Sequence, residues 1–462
     1  MKKIGFLLLS FIVLLSNVPA FANVYVEEES FNAPEIEAQS AILMDMKTGR
    51  VIYSKNPDDR LYPASTTKIL TGIMALEFGN LEDVVTADVA SLAPITNEDS
   101  HMGILIGEQL TMEQLINGMM VYSANDAANV IATHISGTSS HFVELMNRKA
   151  QELGTTDTNF TNAYGVHDEN HYTTASDLAI ISRYAMKNEK FREIVKQKTY
   201  YIPATNKYTT ERVLPSTNLF IGTARSPKYY YSAVTGIKTG HTSDAGYCLV
   251  SSAEKDGTEL LCIVMKAKNQ EVCYTNSKKL IDFGFNNYKY RTIAKSGDVV
   301  TDSKVYEAKN DERVAFTVNE DIQALLPSEP ELTDIIETVY DLPEVVKAPI
   351  KKGDVIGRVS YNYKGTLVGG GDLIATNDVK RNFFLFIFHL IVNVLSSPFF
   401  FIPALLVAAA LIMRRINIMK QERRRRLRRL HSRQQNKPQV RTGTRRPVNT
   451  RFEDQNYRRR RR

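Results

Sequence analysis

The sequence predicts an α+β body built on an antiparallel sheet with a helical block, followed by a small all-β region, a transmembrane helix and a disordered basic tail. Three observations carry this expectation. Strand-like alternation stands at both ends of the first 290 residues, helical spacing fills the middle, and two apolar segments bracket the whole. At 462 residues the chain exceeds what one core usually serves, so two folded domains with appendages is the starting point.

The first element is a leader. Met1–Ala22 has Lys2 and Lys3, an apolar run Ile4–Leu15 and the small-residue pattern Ala20-Phe21-Ala22, so it reads as a secretory signal with the mature chain beginning at Asn23. Ala41–Met46 and Arg50–Tyr53 then alternate around Lys47-Thr48-Gly49, the pattern of a β-hairpin. After Pro63, the run from Ser65 to Leu76 has apolar residues at helical spacing, which predicts a helix starting near Ser65. Helical patterns recur at Thr111–Ser123, Ala127–Ile135, His141–Leu153 and Ala175–Lys187. Strand-like runs follow at Ala233–Ile237, Tyr247–Ser252 and Glu259–Lys266, the last two joined across Lys255-Asp256-Gly257. These elements predict a catalytic domain over residues 35–290.

From Thr292 to Thr376 the pattern changes to short alternating runs, such as Val314–Val318 and Val355–Tyr361, and this stretch is read as a small β domain acting as a spacer. Phe383–Met413 is apolar over 31 residues with no Asp, Glu, Lys or Arg, against the roughly 20 needed to cross a bilayer. Asn393, Ser396, Ser397, Pro398 and Pro403 lie within it, so a kinked or interfacial first half followed by a span fits as well as one straight helix. Arg414, Arg415 and Arg423–Arg426 follow directly, which places this end inside and the body outside the cell membrane.

Charge is distributed unevenly. Residues 414–462 carry 20 Arg or Lys against Glu422, Glu453 and Asp454, a net of +17; the whole chain is +7, so the remainder is −10. The basic balance therefore describes the tail and says nothing about the body, so it gives no warrant for a nucleic-acid reading of the whole protein. The tail reads as disordered, its arginines held against anionic lipid heads. Three cysteines are too few for a disulfide scaffold, although Cys248 and Cys262 occupy opposed positions of the expected hairpin, where they either pair or pack as small apolar side chains. His134, His141, His167 and His171 lack a metal-ligand spacing.

Chemistry enters through Ser65 and Lys68. A serine hydroxyl is a weak nucleophile that needs a neighbouring base, and positions i and i+3 share a helix face. Lys68 acts as a base only when held neutral, which burial and a nearby cation promote. Taken alone, Ser-x-x-Lys equally describes an N-cap serine with a solvated lysine. Two later segments change the balance: Ser123-Ala124-Asn125, 58 residues on, and Lys238-Thr239-Gly240, a further 115 on. That order is the pattern of the active-site serine acyltransferases.

With these motifs, the chain resembles the low-molecular-mass penicillin-binding proteins that are D-alanyl-D-alanine carboxypeptidases, and hence the β-lactamase/penicillin-binding transpeptidase-like fold. The likeness extends through Tyr62–Lys68, Asn162-Ala163-Tyr164-Gly165, His171–Ala179 and Gly236–Thr242, and covers about Glu35 to Tyr290. It implies that Ser65 attacks the penultimate D-alanine of a peptidoglycan stem pentapeptide, with Lys68 taking its proton and Ser123 relaying one to the leaving amine. Asn125, Lys238, Thr239 and Gly240 would bind substrate, and the backbone N–H groups of Ser65 and His241 would form the oxyanion hole. It also implies covalent inhibition by β-lactams, with no metal or cofactor.

A β-lactamase would need a glutamate for deacylation, and Glu169 has Thr173 where that enzyme's Glu-x-x-x-Asn pattern needs asparagine. The alternatives kept are a D,D-endopeptidase on peptidoglycan cross-links and a catalytically weak penicillin-binding membrane scaffold.

Overall fold

The computed structural model describes residues 33–96, 98–222, 227–309, 312–328 and 336–435, so the expected signal segment lies outside the described residues. The central sheet has five antiparallel strands in the order Val51–Lys55, Ser40–Asp45, Thr258–Ala267, Gly246–Lys255, Val234–Thr242. Its first turn forms because the Asp45 carboxylate accepts from the N–H groups of Lys47 and Thr48, each at 3.2 Å, and Gly49 takes φ +82°. The strand expected to stop at Ile237 runs on to Thr242, because residues 234–242 pair along Gly246–Ala253. Lys238-Thr239-Gly240 therefore lies within a strand, and that strand is the open edge of the sheet.

Helices cover both faces. On one, the segments Lys68–Phe78, Met112–Val121, Asn125–Ser136, Ser139–Glu152 and Ala175–Ala185 enclose a core that includes Ile69, Ile73, Met119, Ile131 and Ile263. On the other lies Gln270–Asn287, a helix that the sequence reading passed over. Asn269 caps it, and Val272, Cys273, Leu280 and Ile281 bury against Leu43, Leu260 and Val264. The expected opposition of Cys248 and Cys262 is wrong, since the register sets Cys262 against Ser251. Cys248 faces the helical block and Cys262 the Gln270–Asn287 side; all three thiols are free and buried.

Tyr288–Ala294 pairs with Ile322–Pro327, and a six-stranded sheet follows in the order 336–341, 355–363, 366–375, 313–318, 301–306, 346–347. Arg50, from the first hairpin, reaches into this region: Nη1 donates to the Leu325 carbonyl at 2.7 Å, and the guanidinium lies 4.9 Å from the Tyr363 ring centre.

The C-terminal segment forms a separate unit. Asn382 caps a helix over Phe383–Ser396; the chain leaves helical geometry at Ser397 and a second helix runs from Pro398 to Gln435. The apolar stretch is thus two helices, broken ahead of Pro398 as the restriction on a residue preceding proline requires. Phe401–Arg429 is long and apolar enough by length and composition to cross a membrane. The basic tail differs from expectation as far as Gln435, where it is helical: its Arg, Gln, Leu and Met residues are good helix formers that extend a helix already nucleated.

Candidate active site

Ser65 lies in a 3-10 turn, Ala64–Thr67, that leads into the helix at Lys68. Ala64 takes φ +48°, and the Thr67 hydroxyl donates to its carbonyl at 2.8 Å. The turn thus presents Ser65 and Lys68 to one another, Nζ lying 2.8 Å from Oγ. Lys68 is 0% exposed. Its Nζ also lies 2.6 Å from Asn125 Oδ1 and 2.6 Å from the Tyr164 carbonyl. Burial holds its pKa well below the ordinary lysine value, the Lys238 ammonium lowers it further, and Asp126 and Asp99 oppose both.

Asn125 opens the helix Asn125–Ser136, its N–H donating to the Ser100 carbonyl at 2.7 Å. Its Nδ2 donates to Asp99 Oδ1 at 3.2 Å. A carboxylate only accepts, so Asp99 fixes which end of the amide faces Lys68. Ser123 is buried with φ +70° at the bend between two helices. Among the described residues no hydrogen bond joins it to Ser65 or Lys68; Asn125 makes the direct contact.

The segment 159–174 supplies the Tyr164 carbonyl. Gly165, at φ +90°, lets it approach, for a Cβ there would sit 1.9 Å from the Ala64 carbonyl oxygen. His171 ties this segment to the Ser65 turn. The Thr161 N–H donates to Nδ1 at 3.0 Å, so the ring proton is on Nε2 and donates to Thr67 Oγ1 at 2.8 Å. Burial lowers the His171 pKa to about 4, which keeps the ring neutral.

The edge strand closes the other side. Lys238 is 1% exposed, and burial lowers its pKa to about 7. Its Nζ donates to the Thr239 carbonyl at 3.2 Å, and the Thr239 hydroxyl lies 2.7 Å from that of Thr217. A Cβ on Gly240 would lie 2.9 Å from the Pro63 carbonyl oxygen and 3.2 Å from the Ser65 nitrogen, so the strand backbone passes directly against the Ser65 turn. The His241 ring is exposed and leans on Tyr247. Among the described residues no group of three metal-ligating side chains converges. Glu169 is exposed.

Sequence reasoning missed four groups here: Asp99, the Tyr164 carbonyl, the contacts of His171, and Thr217. Tyr164 and His171 stood within segments that carry the resemblance, but nothing in those segments marked a backbone acceptor for Lys68 or a tie to Thr67.

Fold and cluster together define a class, a serine enzyme of the penicillin-binding transpeptidase type. Residues 27–269 match the family described as D-alanyl-D-alanine carboxypeptidase, and residues 288–381 match the penicillin-binding protein 5 C-terminal domain. The D-alanyl-D-alanine carboxypeptidase DacF of Bacillus subtilis is 30% identical over 390 residues, 83% of this chain and 96% of that protein. DacA of Haemophilus influenzae, another D-alanyl-D-alanine carboxypeptidase, is 32% identical over 80% of this chain and 93% of its own length. Among solved structures, penicillin-binding protein 5 of Haemophilus influenzae superposes with a TM-score of 0.63 at 32% identity, covering 76% of this chain and all of that one. The chain belongs to the D-alanyl-D-alanine carboxypeptidase family.

Proposed function

We propose that the protein removes the terminal D-alanine from peptidoglycan stem pentapeptides through an acyl-enzyme on Ser65. The observation that carries this is the surroundings of Lys68 Nζ. A neutral amine has two hydrogens and one lone pair. The Asn125 and Tyr164 oxygens are pure acceptors and take both hydrogens, which leaves the lone pair aimed at the Ser65 hydroxyl. Lys68 then accepts the proton as Oγ bonds to the carbonyl carbon of the penultimate D-alanine. The C–N bond to the terminal D-alanine breaks as Ser123 relays to the leaving amine the proton that Lys68 took, and water, giving a proton to the neutral Lys68, later hydrolyses the ester to restore the Ser65 hydroxyl. Backbone N–H groups of Ser65 and His241 stabilise the oxyanion. Lys238, Thr239 and Thr217 take the substrate's terminal carboxylate, Gly240 admits the strand, and Asn125 holds the peptide amide. A β-lactam enters the same path and stops at the acyl-enzyme.

We further propose that the body works outside the cell, held by the C-terminal helices with the Arg-rich end cytoplasmic and against anionic lipid. Support comes from Phe401–Arg429 and the arginines that end it.

The test is D-alanine release from Nα,Nε-diacetyl-L-lysyl-D-alanyl-D-alanine by the full-length, detergent-solubilised chain, beside Ser65→Ala. Release that disappears in the variant supports the reading. Release that persists in it sinks the assigned nucleophile, and penicillin labelling without any release moves the assignment to an endopeptidase.

A further inference from the structure

Asp99 stands beside Asn125, one side chain away from the Lys68 cluster. Its Oδ2 accepts from the Thr96 N–H at 2.8 Å and the Thr96 hydroxyl at 2.9 Å, and Oδ1 accepts from Asn125 Nδ2 at 3.2 Å. The next residue's carbonyl receives the Asn125 N–H at 2.7 Å. The carboxylate is therefore held rigidly beside the amide that holds the peptide. It is partly exposed, and among the described residues it forms no ion pair. Its neighbour Asp126 differs: that side chain is 2% exposed and spends its oxygens on the N–H groups of Met102 and Ile104. Of a carboxylate's roughly four lone-pair sites, the three donors around Asp99 leave one open.

This step rests on the carboxypeptidase reading above. In a stem peptide, the amide carbonyl preceding the penultimate D-alanine belongs to residue 3, and this is the carbonyl that Asn125 would hold. The residue 3 side chain starts two bonds from that oxygen-bearing carbon. A lysine-length arm spans about 6 Å by ordinary bond lengths, enough to carry its terminal nitrogen past Asn125 to Asp99. We propose that Asp99 is a specificity-determining residue that pairs with a free side-chain ammonium on residue 3, so that the preferred substrates are stem peptides with an unmodified diamino acid there. Such an amine is free in a stem peptide that has not been cross-linked through it. Asp99 thus directs the enzyme to donors of that kind and away from stems whose side-chain amine is already acylated.

The experiment uses the full-length, detergent-solubilised chain and three peptides of the form Nα-acetyl-X-D-alanyl-D-alanine, with X as L-lysine, Nε-acetyl-L-lysine or norleucine. Release of D-alanine is followed for the wild type and for Asp99→Asn, with circular dichroism and the thermal melt as the check on folding. A partly exposed ion pair predicts a wild-type kcat/KM about three- to fivefold higher for the free-amine peptide than for the other two, carried mainly by KM and erased by 0.5 M salt. In Asp99→Asn the three peptides become equal. A wild type that treats all three alike, or a variant that keeps the preference, overturns the proposal. The wild-type ratio and its salt dependence decide the matter even if the variant does not fold. Failure of all three peptides to release D-alanine overturns the carboxypeptidase reading itself, a distinct result from equal release.

Discussion

Two lysines are buried within one site, and they live in different company. Lys68 has three oxygens around its nitrogen, two of them unable to donate; Lys238 has the carbonyl of its own neighbour at 3.2 Å. Burial disfavours the charged form of both. Lys68 is pushed further by the Lys238 charge, while Lys238 is lowered only to about 7 and keeps a substantial charged fraction at neutral pH. Equal burial thus leaves the two lysines with different charge, which is what the proposed roles of base and cation require. The partners, and not the residue type, decide the role.

The sharpest way to break this comparison is to keep both charges and remove one neutral form. Arginine is effectively always protonated, so Lys68→Arg should lose at least about 1000-fold in penicillin acylation, whereas Lys238→Arg should retain activity within about tenfold. Equal losses would mean that Lys68 acts by charge alone. A second effect is smaller and concerns pH. The acid limb of kcat/KM reports Lys68 losing its proton, so activity rises with pH. Lys238→Met removes a cation that lowers the Lys68 pKa, and the limb should move to higher pH. In the wild type KM for the peptide carboxylate should climb as pH passes about 7, where Lys238 discharges.

His171 offers a third test, on the segment that delivers the Tyr164 carbonyl. His171→Ala leaves the Thr161 N–H and the Thr67 hydroxyl without their buried partner, which should cost about 1–3 kcal/mol of stability and reduce acylation about tenfold. His171→Gln, which can still donate to Thr67, should recover part of the rate. The smallest effect is thermodynamic. Unfolded Lys238 holds its proton to about pH 10.4, while in the folded chain it releases it near 7. The unfolded state binds more protons in that window, so this residue's contribution to stability rises with pH. Denaturation of wild type beside Lys238→Met should show their difference shifting toward the wild type by at least about 1 kcal/mol between pH 7 and 10.

Much of this site was legible in the residues because its parts are local. Ser65 and Lys68 are three apart, Ser123 and Asn125 two apart, and the first hairpin is encoded by Asp45 and Gly49 within five positions. What was not legible is nonlocal or carried by backbone. The Tyr164 carbonyl has no side-chain signature, and any residue but proline supplies the donor that Thr161 gives His171. The error over Cys248 and Cys262 arose from the turn position: Lys255 pairs with Thr258 across Asp256-Gly257, and the regular ladder from there sets Cys262 against Ser251. The tail was misjudged as far as Gln435 because composition alone describes an isolated peptide, whereas this one grows from a preformed helix.

The contact at Gly240 has a further consequence. With the Pro63 oxygen 2.9 Å and the Ser65 nitrogen 3.2 Å from where any Cβ would stand, a side chain there pushes the strand off the nucleophile's turn. On the proposed reading substrate and inhibitor share this gap, so Gly240→Val should lose D-alanine release and penicillin labelling together.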